Sequence, residues 1–149
     1  MLYSPIEPNS TGISMRASLV IASRPDAVTT FLRRLLKLLT AYDYQTNDLF
    51  AIQLAVEEAL VNAMKHGNRL DRSKRVYLTI TVGPKEFRIR IRDEGSGFDP
   101  DKVPDPTDPE NLERPSGRGL WLIGHYMHMV RRNAKGNAVT LVRRRSPVR

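Results

Sequence analysis

The sequence contains no cysteine in its 149 residues. That removes disulfide frameworks and thiolate metal sites, and it fits a reducing compartment, so a cytoplasmic protein is expected. Long apolar runs are also missing; nothing approaches the roughly 20 residues of a membrane span, and no membrane role is expected. The opening MLYSPIEPNSTG has neither the basic start nor the apolar stretch of a signal peptide, and residues 1–12 read as a flexible arm. Aromatics are scarce, at 7% with one Trp. What remains is ordinary for a folded protein. With 40% apolar residues the chain suits one domain with a real core, placed at 13–145 and followed by a basic tail at 146–149.

The formal charge is +8, and it is unevenly spread. The stretch 99–114, DPDKVPDPTDPENLER, carries six acids against two bases, so it is −4 and the remainder is +12. The excess sits at Arg33–Arg34, along RIRIR and in the tail RRRSPVR. These arginines do not interleave with aromatics as stacking platforms for bases would, so direct nucleic-acid binding is not expected. An acidic protein partner, or simple solubility, is the better account.

Local patterns set the elements. Residues 13–23, ISMRASLVIAS, have a β-branched centre and read as a strand. RPDAVTTFLRRLLKLLTAYD reads as a helix from Pro25 and Asp26, with Val28, Phe31, Leu32, Leu35, Leu36 and Leu39 at helical spacing. A second helix starts near Thr46 or Asn47, either of which is able to cap it. Ile52, Ala55, Val56, Ala59, Leu60, Ala63 and Met64 form its core stripe. Three of these are alanines, so something packs close; Gly67 and Asn68 then stop the helix. RVYLTITVG and EFRIRIRDEG alternate cleanly and meet at the turn GPKE, residues 83–86. Residues 99–116 hold five of the ten prolines and no periodicity, and read as a long loop. GRGLWLIGHYMHMV reads as a helix entered through glycine, and NAKGNAVTLVRRR as a turn and a last strand. The expected fold class is α+β: a two-layer α/β sandwich with helices on one face of a mostly antiparallel sheet.

Three places carry residues suited to chemistry. On the second helix, Glu58, Asn62 and His66 step one turn at a time along one flank of the apolar stripe, with Lys65 beside Glu58 on the wet side. An Asn amide oxygen suits Mg²⁺ that already carries phosphate oxygens. A carboxylate one turn away is placed to orient a hydroxyl or take its proton. The same pattern also describes a solvated helix border, so this helix does not decide alone. In RDEGSGFDP, Asp93 ends a strand two residues before Gly95 and four before Gly97. Glycines let a ligand approach the backbone, and the Asp is able to accept from an exocyclic amine; a Gly-rich turn with an Asx cap has the same look. SGRGLWLIG puts a second glycine pair at a helix start, where free N–H groups and the helix dipole favour an anion and Arg118 adds charge. The loop between the clusters then reads as a lid or a partner-contacting segment.

In this order and with these separations the three motifs resemble the ATPase fold shared by type II topoisomerases, mismatch-repair ATPases, heat-shock chaperones and sensor histidine kinases, the Bergerat fold. EEALVNAMKHGN matches its N box, DEGSGFD its first glycine box and GRGL its second. Within that superfamily the chain looks most like bacterial anti-sigma-factor serine/threonine kinases, for its small size and the form of its N box. The resemblance implies ATP and Mg²⁺ as cofactors, with Glu58 as general base toward a substrate serine and Asn62 on the metal. It implies that Asp93 meets the adenine amino group in a pocket shaped by Gly95 and Gly97. Gly117, Arg118, Gly119 and Leu120 would wrap the phosphates, with Lys65 as a further phosphate contact. Thr140 would support adenine together with Asp93. The implied substrate is a serine of a STAS-type anti-anti-sigma protein, the implied sequestered partner a sigma factor or other regulatory protein, and a homodimer is possible through the first strand or first helix. Two rival functions use the same fold: a non-catalytic ATP-binding module that sequesters a partner, and a histidine-kinase-type domain acting in trans. Glu58 argues against the first, since a pure binder has no need of a carboxylate beside the metal.

Overall fold

The computed structural model describes residues 14–97 and 117–147. The arm and the acidic Pro-rich loop read from the sequence lie outside these residues. Alternation makes the strands: β1 (Met15–Ala22), β2 (Arg75–Val82) and β3 (Glu86–Arg92) each bury every second side chain. Two further strands, β4 (Met129–Arg132) and β5 (Ala138–Arg144), complete one sheet of order β1-β2-β3-β5-β4. Every neighbouring pair is antiparallel. Helices α1 (Pro25–Ala41), α2 (Thr46–Asn62) and α3 (Gly117–Tyr126) cover one face. The core between the layers contains Leu19, Phe31, Leu35, Ile52, Val56, Leu78, Phe87, Ile89 and Leu141, all buried. Full burial of each large side chain stabilises by about 1.5–3 kcal/mol. This is the two-layer α+β architecture expected from the patterning.

Helix ends differ in detail from the sequence reading. α1 does begin at Pro25, whose missing N–H costs nothing in a first turn. α2 begins at Thr46, but Gln45 holds the cap position and gives no side-chain cap bond. Asn47 instead donates from Nδ2 to Ser146 Oγ at 3.1 Å. At its far end α2 widens into a π turn, Ala63–Gly67, where the Asn68 N–H reaches back to Ala63 O at 2.8 Å. Such turns recur at functional sites.

The reading of GRGLWLIGHYMHMV as one helix is corrected. α3 stops at Tyr126, and Met129–Arg132 forms β4 on the outer edge of the sheet. No glycine or proline marks that boundary. The pairing that sets it is long-range, and His128 N–H already donates to Val142 O at 2.8 Å.

Two buried polar residues tie the elements together. Asp48, fully buried at the start of α2, pairs with Arg143 Nε of β5 at 2.9 Å and accepts from Ser146 N–H at 2.7 Å. Arg143 also donates to Tyr126 O at the end of α3, at 2.7 Å. Asn68, also fully buried, donates to Ser23 Oγ at 2.8 Å and to Arg75 O at 2.9 Å, and accepts from Glu94 N–H at 2.8 Å. The end of α2 is thereby fixed to β1, β2 and the segment after β3. Buried polar groups persist when their partners are complete, as these are.

Candidate functional site

The site is built where α2 ends beside the end of β3. Ile91 points into the core, so two residues on Asp93 emerges on the helix-covered face as the strand runs out. Its backbone N–H donates to Asn137 O at 2.9 Å, so the turn before β5 holds it in place. The carboxylate is buried, 7% exposed, and Oδ1 accepts the Gly95 N–H at 2.7 Å. Burial lifts the carboxyl above its ordinary pKa, while the Gly95 N–H and nearby cations pull the other way.

Close packing explains the glycines. A Cβ on Gly67 would overlap the Asp93 carboxylate, and one on Gly95 would overlap Gly67 O. The two glycines therefore let the last turn of α2 and the segment after β3 touch across a buried acid. Gly97 takes φ +92° against the backbone of Lys135.

A small cavity opens beside this acid. Asp93, Asn62, Ala59, Ile123, Arg132 and Asn137 line it, together with Ile91 and Val139. The structure thus brings Asn62 and Asp93, 31 positions apart, to one hollow between α2, α3 and the sheet. Ala59 stands there beside Ile123, where a larger side chain would fill the space. Glu58 is half-buried one turn before Asn62, and Lys65 is exposed on the π turn. The backbone of Gly117, Arg118, Gly119 and Leu120 forms the first turn of α3, as an anion-binding helix start requires; Gly119 is buried. The Arg118 side chain lies outside the described residues.

Thr140 is not brought to this group. Its strand partners are Arg90 and Arg131, both exposed, and its neighbour Leu141 is fully buried. Residues directly opposite share a face, so Thr140 lies on the outer side of the sheet, away from Asp93. Val139 and Asn137 occupy the inner positions instead. Asn137 Nδ2 also reaches Asp93 O at 3.4 Å. The alternation of AVTLV, with Leu141 inward, was the signal for this. Arg132 was also missed: it is half-buried at the cavity wall, and burial holds its pKa below the usual arginine value. In sequence it fell between the stretch read as a helix, 117–130, and the turn that begins at Asn133, and was assigned to neither.

Asp93, held between Gly67 and Gly95, thus lines one small hollow together with the Asn62 amide. The family model of the histidine kinase-like ATPase domain matches residues 21–143. The chain belongs to this family. Its relatives include the serine/threonine-protein kinase BtrW of Bordetella bronchiseptica, 29% identical over 66% of this chain and 72% of that protein. An anti-sigma F factor of Oceanobacillus iheyensis is 35% identical over 62% of this chain and 64% of that protein. A structure of the RsbU and RsbW domains from Mycobacterium tuberculosis superimposes with a TM-score of 0.61, at 16% identity, over 90% of this chain and 34% of that one. That likeness bears on the fold. Histidine kinase-like ATPase domains use ATP. No helix among the described residues is long and apolar enough to cross a membrane.

Proposed function

We propose that this protein is an ATP-dependent protein serine/threonine kinase that works as an anti-sigma-type switch. Its substrate would be a serine on a STAS-type antagonist protein, and its sequestered partner a sigma factor or another regulatory protein. The observation that carries this reading is the shared hollow of Asn62 and Asp93, with Glu58 half-buried one turn earlier on the same helix. Relatives that are themselves a serine/threonine kinase and anti-sigma factors support it.

In this reading Asp93 accepts from the adenine amino group, and Gly67 and Gly95 let the end of α2 and the segment after β3 close around that acid. Asn62 Oδ1 holds Mg²⁺ that arrives on the phosphates. Such an ion would be held by one side chain, phosphate oxygens and water. When bound, Mg²⁺ offsets charge on the transferring phosphoryl group. The first turn of α3, with Arg118, meets the remaining phosphate charge, and Lys65 reaches it from the π turn after α2. Glu58 takes the proton of the serine hydroxyl as the serine oxygen bonds to the γ-phosphorus and the bond from that phosphorus to the β-phosphate oxygen breaks, releasing ADP; the base contributes about 10²–10⁴-fold.

A homodimer through the first strand and helix has its own support. An apolar groove of about 640 Å³ lies between β1 and α1, lined by Leu19, Ile21, Phe31 and Leu35 among others.

The test is phosphoryl transfer to purified STAS-type proteins from the same cell, with the phosphorylated residue located by mass spectrometry. Phosphoserine with the native kinase and none with Glu58→Ala, at unchanged ATP affinity, is the expected result. Equal transfer by Glu58→Ala would remove Glu58 as the base, and no transfer to any of them would remove the kinase reading.

A further inference from the structure

The face of the sheet opposite the helices has no part in the site above, and it collects the charge that the sequence left unexplained. Three registers across the sheet define it. One row runs Ser18, Thr79, Arg90, Thr140, Arg131. The next runs Arg16, Thr81, Arg88, Val142, and a third Val20, Tyr77, Arg92, Ala138. Arg16, Arg88, Arg90 and Arg131 are exposed, and Arg144, at the sheet's corner opposite Glu86, is exposed too. Along β3 the arginines recur every second residue, roughly 6.8 Å apart, and adjacent rows lie about 4.8 Å away. Glu86 is the one acid at an outward strand position, 3.6 Å from Arg88. The buried positions on this face are Val142 and Ala138.

We infer that this outer sheet face is a docking surface for an acidic protein partner. Charge sets the sign of the partner, and like charge opposes a second copy of the chain on the same face. The kind of cation narrows it further. Every outward cation on the strands is arginine and none is lysine, the preference of protein interfaces and of bidentate carboxylate recognition. Between the arginines stand short hydroxyl side chains and the half-exposed Val20, a mixture that suits a flat protein contact. A nucleic acid would need rings to stack on. Tyr77 is the single aromatic here, and the Arg92 guanidinium covers it at 4.2 Å from the ring centroid.

The inference is independent of the kinase reading, because the face lies across the sheet from Asp93. Its test uses two labelled probes in fluorescence anisotropy: a short Glu/Asp-rich peptide and a single-stranded oligonucleotide of equal length. The variants are Arg88→Glu with Arg90→Glu, and Arg88→Lys with Arg90→Lys, each checked for native circular dichroism and melting. The expected result is peptide binding that falls at least ~10-fold in the Glu pair and several-fold in the Lys pair, which keeps charge and loses the bidentate fork. Peptide binding unchanged in the Glu pair would overturn the inference. So would oligonucleotide binding tighter than the peptide's and equal in the Lys pair, which would make the face a general polyanion surface.

Discussion

Gly67 and Asp93 touch across the end of α2 so closely that a Cβ on the glycine would overlap the carboxylate. The contact makes a helix stop and a buried acid into one unit. Gly67 ends the π turn, and Asn68, the next residue, binds the backbone one residue beyond Asp93.

Gly67→Ala therefore tests the cradle without altering any polar group. The methyl must push Asp93 aside or shift the π turn, and either moves the proposed acceptor for the base. The expected outcome is at least ~10-fold weaker ATP binding, the equivalent of one misplaced hydrogen bond to a charged group, with the fold retained by circular dichroism. Native affinity in this variant would show that Asp93 is not the base contact.

Asp48 and Arg143 give the clearest stability prediction. Asp48 is fully buried and the Arg143 side chain largely so, the two bonded at 2.9 Å and joined by Ser146 and Tyr126 O. Removing the acid strands a guanidinium in the interior, so Asp48→Ala is expected to cost about 3–5 kcal/mol in urea unfolding. A cost under about 1 kcal/mol, the range of exposed pairs, would contradict this.

His128 gives stability a pH dependence. Its Nδ1 accepts the Arg144 N–H at 2.9 Å, and burial and the neighbouring arginines hold its pKa below the ordinary 6.5. The unfolded chain thus binds the proton first. The contribution is complete above pH 6.5 and is lost as pH falls through the folded value. Chemical denaturation across this range should show stability falling on acidification, with a shallower fall in His128→Asn. Identical slopes in the two proteins would contradict the assignment.

The layers and most of the site were legible because they rest on short-range regularities. Strict alternation in RVYLTITV and EFRIRIR fixed two strands and their inward faces, and the stripe from Ile52 to Met64 fixed α2. The two motifs holding Asn62 and Asp93 are the ones the fold brings to one hollow. What was missed depends on partners far away in sequence. β4 follows α3 with no breaker residue, and pairing with β5 decides it. Asp48 and Arg143 are 95 positions apart, and no local pattern joins them. Thr140 was placed by motif, whereas the pleat turns it outward and it is Asn137 that lies beside Asp93. The arginines of RIRIR were visible as charge, but only the registers gather them with Arg16 and Arg131 on one face.

The most direct measurement of the central claim is calorimetric titration of ATP with and without Mg²⁺, alongside GTP and the Asn62→Ala variant. The account predicts binding that requires Mg²⁺, prefers ATP over GTP, and is lost in Asn62→Ala. Absence of binding at millimolar ATP, or binding indifferent to the base, to Mg²⁺ and to Asn62, would contradict it.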